Sequence, residues 1–249
     1  MGPQWPAPPG VHAWCSTRDG GVSAPPYDTL NLGDHVGDDP AAVAENRKRF
    51  AQALQARPVV LQQVHGRGVV RLAADTRDGT QADACWTTER GVACTMMVAD
   101  CLPVLLADRA GRIVGAAHCG WRGLAGEGGQ GVLESLWQAM RVHAEDPGEI
   151  LAWLGPCIGP GAFEVGPEVR AAFVRSDAQA DACFRPHGEG KFLADLQALA
   201  RRRLAALGIA DVDGNDGSAA WCTVTNPSRF FSHRRDRTSG PLPAAVWGG

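Results

Sequence analysis

The chain is expected to fold as an α/β protein of the α+β type, a single domain over residues 1–249 with helices flanking a large mixed β-sheet. Three observations predict this. Short apolar runs recur along the chain, nearly continuous and bounded by turn residues, as in strands buried on both faces. Helical patterns stand between some of these runs without strict alternation, which argues against a regular βαβ winding. No internal repeat or low-complexity linker divides the sequence.

Residues 1–10, MGPQWPAPPG, are Pro-rich and expected to be flexible. VHAWCSTRDGGVS reads as a strand running into a Gly-Gly turn. In GDDPAAVAENRKRFAQALQ, Asp39 can cap a helix, Pro40 suits its first position, and Val43, Phe50 and Leu54 recur at helical spacing. Strands are expected over 59–64, 92–98, 103–107 and 112–117. A helix from about Val132 to His143 puts Leu133, Leu136, Trp137 and Met140 on one face. ILAWLG reads as a strand ending at the turn PCIGPG. A helix over 193–207 aligns Leu193, Leu196, Ala200, Leu204 and Leu207 and stops at Gly208. AAWCTVT is the last strand candidate, before the basic stretch NPSRFFSHRRDRTSG.

Composition narrows the function classes. Apolar residues make up 45% and charged residues 20%, enough for a substantial core. A net charge of -3 gives no pull toward nucleic acid or an anionic membrane, so neither is expected as a partner. Arg201 to Arg203 read as the solvated face of a helix. No apolar run approaches the roughly 18 residues of a membrane span, and the opening residues do not resemble a signal peptide. The eight cysteines contain no C-x-x-C pair and read as thiols rather than disulfides. The expectation is a cytoplasmic protein, monomeric or weakly dimeric.

His65, Cys101 and His118 each sit where an apolar run stops and a turn begins. Two imidazoles and a thiolate match an open zinc site, in which a fourth position is left to water or substrate. They are too far apart for a finger-type site and can meet only if neighbouring strands carry them. Cys101 has a second reading, as a nucleophile beside Asp100 activated by His118; the second histidine favours the metal. Other motifs fail. His143-Ala144-Glu145 and Pro156-Cys157 start a zinc-deaminase signature, but position 160 is proline, so His143 is read as a helix-end residue. Residues 123–131, GLAGEGGQG, lack the Lys of a Walker loop but could offer backbone N–H groups to an anion at the next helix start.

S-T-R-D-G-G-V-S, L-N-L-G-D-H-V-G-D, Q-V-H-G, A-D-C-L-P-V-L-L, A-H-C-G-W-R-G, L-G-P-C-I-G-P, F-E-V-G and F-F-S-H-R-R-D follow in that order. The chain thereby resembles the YfiH-type, laccase-domain family of purine nucleoside phosphorylases over residues 11–247. The resemblance implies zinc held by His65, Cys101 and His118, which are also the catalytic candidates. It implies phosphorolysis of adenosine, inosine, guanosine and methylthioadenosine, together with adenosine deamination. It also admits two alternatives, a hydrolase editing peptidoglycan precursors and a copper polyphenol oxidoreductase. Copper is the less expected metal, because the seven histidines include no H-x-H. A non-enzymatic metal module would need a fourth protein ligand, and none is evident. Departures from the family pattern are Val98, Cys119, His233 and the extra residues EGGQ after GLAG.

Phosphate and nucleoside as partners suggest further contacts. Guanidinium suits phosphate bidentately, so Arg18 and Arg122, with Arg234 and Arg235, are candidates to hold phosphate or ribose. Gln62 and His35 are candidates for purine or ribose.

Overall fold

The structure is a computed structural model describing residues 2–144 and 149–249. Two mixed sheets stack face to face. The first has four strands in the order β1 (Val11–Cys15), β13 (Leu242–Gly248), β5 (Val92–Val98) and β2 (Arg57–Val60). The second has six, in the order β12 (Val212–Gly214), β8 (Ile150–Leu154), β6 (Leu102–Asp108), β7 (Val114–Cys119), β4 (Ala84–Thr87) and β3 (Val69–Arg71). The fold class is the one expected; the continuous apolar runs concealed that their residues serve two sheets. A third, small sheet joins β10 (Phe184–His187), β11 (Lys191–Ala194) and β9 (Glu164–Val165).

Strand periodicity explains the stacking. Successive side chains point to opposite faces, and in β5 Val92, Cys94 and Met96 enter the core between the sheets while Ala93 and Met97 face the other way. In β6 Leu105 and Ala107 meet that same core, whereas Leu102, Val104 and Leu106 face helices. Helix α1 (Pro40–Leu54) covers the outer face of the first sheet with Phe50 and Leu54. Helices α3 (Val132–Arg141) and α5 (Leu196–Ala206) cover the outer face of the second with Leu133, Leu136, Met140, Leu199 and Leu204. With both faces covered, β5 to β8 are buried along their whole length. Truncating one such leucine, Leu136→Ala, is worth about 2–5 kcal/mol.

Helix boundaries follow their caps. Asp39 accepts from Ala41 N at 3.0 Å and Pro40 opens α1, as the sequence predicts. The chain turns out of α5 at Gly208, whose φ of 83 suits glycine. There Gly208 N donates to Ala205 O at 3.0 Å and Ile209 N to Leu204 O at 2.9 Å, a Schellman closure.

Some boundaries correct the sequence reading. Leu193 is not helical: it pairs with Arg185 and Glu164 in the small sheet, and α5 starts at Leu196, capped by Asp195. AAWCTVT forms a short 3-10 turn and one isolated bridge, Cys157 to Cys222, rather than a strand. The closing strand β13, which pairs with both β1 and β5, was not expected. The glycine loop does not leave its helix start open to an anion. Glu134, buried in the first turn of α3, accepts from Gly131 N at 2.8 Å, and Arg203 pairs with it at 3.4 Å. His143 stacks on Trp86 with centroids 4.6 Å apart, just beyond α3; Glu145, the next residue of its motif, lies outside the described residues.

Candidate metal centre and its cavity

Three elements converge at one end of the stacked sheets. His65 lies in the bend after β2, in the first sheet. Cys101 lies in the tight crossing from β5 to β6, where the chain passes from the first sheet to the second. His118 is the penultimate residue of β7, paired in register with Pro103. One ligand atom from each falls within 4.8 Å of the others. Cys101 Sγ is 3.7 Å from His65 Nε2, and the two imidazoles meet edge to face with centroids 4.7 Å apart. His118 is buried, Cys101 partly buried and His65 exposed, so the cluster is open on the His65 side.

Two carboxylates support it. Asp83 accepts from His118 Nδ1 at 2.9 Å and from the backbone N–H groups of Val64, His65 and Gly66 at 3.2, 2.9 and 2.7 Å. Asp100, at φ 88, accepts from Thr223 Oγ1 and from Arg234 N, both at 2.6 Å. It thereby ties the Cys101 turn to the start of α6 (His233–Asp236). Helix α2 (Trp121–Ala125) follows His118 directly, and Gly120 passes against the ligands without a side chain.

Electrostatics polarise the cluster. Burial opposes charge on Cys101 and on His118, but the attraction between thiolate and imidazolium outweighs it. The Cys101 thiol is drawn down to about 6, helped by hydrogen bonds from His118 and His65, and His118 is drawn up to about 9, helped by Asp83. Burial would raise the Asp83 carboxyl, yet the His118 hydrogen bond and the Gly66 and Val64 N–H groups hold it below its ordinary value. The thiolate is the form that coordinates a metal, so this donor set fits one.

The cluster forms part of the wall of a cavity of about 1130 Å³. Trp121, Phe163, Ile158 and Leu196 give that cavity an apolar side. Arg122, Arg234, His35 and Gln62 line it, as do Arg237 and His233, which the sequence reading left unassigned. The Arg122 guanidinium lies over the Trp121 ring, 4.4 Å from its centroid, and has no ion pair among the described residues. Arg234 donates to Glu164 O at 3.1 Å and lies over Phe163.

Arg18 and Arg235 do not line the cavity. Arg18 donates to Asp28 O and Pro227 O, each at 2.8 Å, pairs with Asp28 and covers Phe231. Arg235 donates to Thr223 O, Val224 O and Phe230 O and pairs with Asp236. Both guanidiniums pin loops outside the cavity. Asp83 was also missed; its one sequence signal is a lone acid between Ala82 and the apolar start of β4.

Residues 12–248 match the family described as multi-copper polyphenol oxidoreductase laccase. The chain is 51% identical over 247 residues to "Purine nucleoside phosphorylase YfiH" of Escherichia coli, covering 98% of this chain and 97% of that one. It is 50% identical to a purine nucleoside phosphorylase of Pseudomonas aeruginosa, covering 98% and 96%. A crystal structure of a Neisseria meningitidis protein superposes with a TM-score of 0.92 at 45% identity, covering 100% and 98%. The chain belongs to this YfiH-type, laccase-domain family.

Proposed function

We propose that this chain is a zinc-dependent purine nucleoside phosphorylase, acting on adenosine, inosine, guanosine and methylthioadenosine, that also deaminates adenosine. The observation that carries the reading is an open two-histidine, one-cysteine cluster in the wall of a cavity that also holds Arg122, free of any ion pair among the described residues. Relatives that share half of this sequence bear the name of that activity.

Phosphorolysis forms a bond from a phosphate oxygen to the ribose C1′ and breaks the C1′–N9 bond, so phosphate must be held on one face of the sugar while the purine leaves from the other. Arg122 and Arg234, which line the cavity, would take phosphate, as guanidiniums bind it bidentately and lose little order when stacked on a ring. Gln62, with no side-chain partner among the described residues, and His35 would contact base or ribose. Trp121, Phe163, Ile158 and Leu196 exclude water from one side, which strengthens each polar contact. His65, Cys101 and His118 would hold the zinc, which supplies positive charge to draw electrons from the purine or from the water that deaminates it. The eight free cysteines suit a reducing, cytoplasmic setting.

One second reading has an observation behind it. The cavity, about 1130 Å³, has room for a substrate larger than a nucleoside, such as a peptidoglycan precursor. Multi-copper oxidation is less favoured, since the described residues offer one three-ligand group rather than several.

A screen on metal-quantified protein tests the proposal. Inosine should release hypoxanthine only when phosphate is present. Release indifferent to phosphate, or none from any purine nucleoside, would overturn it.

A further inference from the structure

We propose that Asp83 is the positioning residue of the metal centre, one carboxylate that sets both histidine ligands before an ion arrives. This rests on reading His65, Cys101 and His118 as a metal site.

Backbone pairing brings the groups together. Asp83 immediately precedes β4, which runs antiparallel to β7 with Ala84 opposite Ala117, and His118 N donates to Asp83 O at 2.8 Å. Its carboxylate therefore lies beside the His118 ring, and Oδ1 takes Nδ1 at 2.9 Å. With its proton committed there, the ring keeps Nε2 as the nitrogen available to an ion, and its rotation is fixed.

The same carboxylate holds the second ligand by its backbone. Three successive N–H groups, of Val64, His65 and Gly66, converge on the two oxygens. They stabilise His65 at φ 59, a left-handed conformation that residues other than glycine avoid. Asp83 is fully buried, and its four acceptances match what an ionised carboxylate can take. It does not line the cavity, so it acts only through the two histidines.

An amide cannot replace it. Asparagine offers one acceptor oxygen and an NH₂, so a donor would face either the Val64 and Gly66 N–H groups or the His65 N–H together with His118 Nδ1. The test compares wild type with Asp83→Asn and Asp83→Glu, each stripped of metal. Zinc affinity is read by chelator competition, ligand geometry by the visible absorption of the cobalt form, and stability by Tm with and without zinc. For Asp83→Asn we expect zinc affinity to fall tenfold to a hundredfold, with altered cobalt absorption and a smaller zinc-induced rise in Tm. Should Asp83→Asn not fold, Asp83→Glu decides: it keeps the charge but misplaces the oxygens, and should show the same losses more weakly. Wild-type zinc affinity and cobalt absorption in the folded variant, with only a lower metal-free Tm, would overturn the proposal and leave Asp83 a fold residue. A wild type that binds neither zinc nor cobalt would overturn the metal reading itself, and this inference with it.

Discussion

Gly120 packs directly against His65: a β-carbon on it would lie 2.9 Å from His65 Cδ2 and 3.0 Å from Cys101 Sγ. The strand that delivers His118 can therefore turn into α2 beside the other two ligands only through glycine. Gly120→Ala should displace His65 or Cys101 by a few tenths of an ångström. Overpacking of this kind costs about 1–3 kcal/mol, and we expect zinc affinity to weaken by roughly ten- to a hundredfold on the same scale. Chelator competition measures it; unchanged affinity would show that the ligands yield freely.

In the metal-free protein Cys101 should alkylate as a thiolate with a midpoint near pH 6 rather than 9. Iodoacetamide rates against pH, with zinc as protectant, check this, and a midpoint at 9 would remove the proposed ion pair with His118.

That pair also bears on stability. Cys101, lowered from 9.0 to about 6, contributes stability that is lost as pH falls through 6. His118, raised from 6.5 to about 9, contributes stability that is lost as pH rises through 9. Between these limits the folded pair carries one proton on His118 and the unfolded pair carries one on Cys101, so their pH slopes cancel. Metal-free Cys101→Ser removes the thiolate that chiefly raises His118, so the variant's imidazole should release its proton well below pH 9. NMR titration of the ring protons would show it; an imidazole still protonated up to about pH 9 would count against the pairing.

The arginines separate by what they hold. Arg122→Ala should weaken phosphate-dependent cleavage of inosine about ten- to a hundredfold, the loss of one charge-assisted contact, with zinc content and adenosine deamination less affected. Arg235→Ala should instead lower stability, by about 1–3 kcal/mol, by freeing three loop carbonyls. Steady-state assays of both reactions beside urea unfolding distinguish the two; equal losses of both activities in Arg122→Ala would end its phosphate assignment.

Much of this was legible in the chain. The ends of apolar runs pointed to His65, Cys101 and His118, although β2 stops at Val60 and His65 lies in the bend beyond it. Asp39 and Gly208 marked helix ends through local chemistry. What failed was non-local. The segment around Leu193 has helical spacing, but its partners Glu164 and Arg185 claim it for a sheet. Arg18 clamps Asp28 to Pro227, and the second of these partners is far along the chain, so sequence did not tell a loop clamp from a phosphate ligand. Asp83 likewise serves residues on two other elements, visible only once the strands are paired.

The placement of Cys101 in the crossing between sheets has a mechanical consequence. Of its neighbours in the cluster, His65 follows a strand of the first sheet and His118 belongs to the second. An ion gripped by all three is a rivet through the seam, closing long loops that the unmetallated chain must close by packing alone. Stripping the metal should then lower the barrier to parting the sheets, so that a protease cuts the metal-free chain sooner even where its resting structure looks the same.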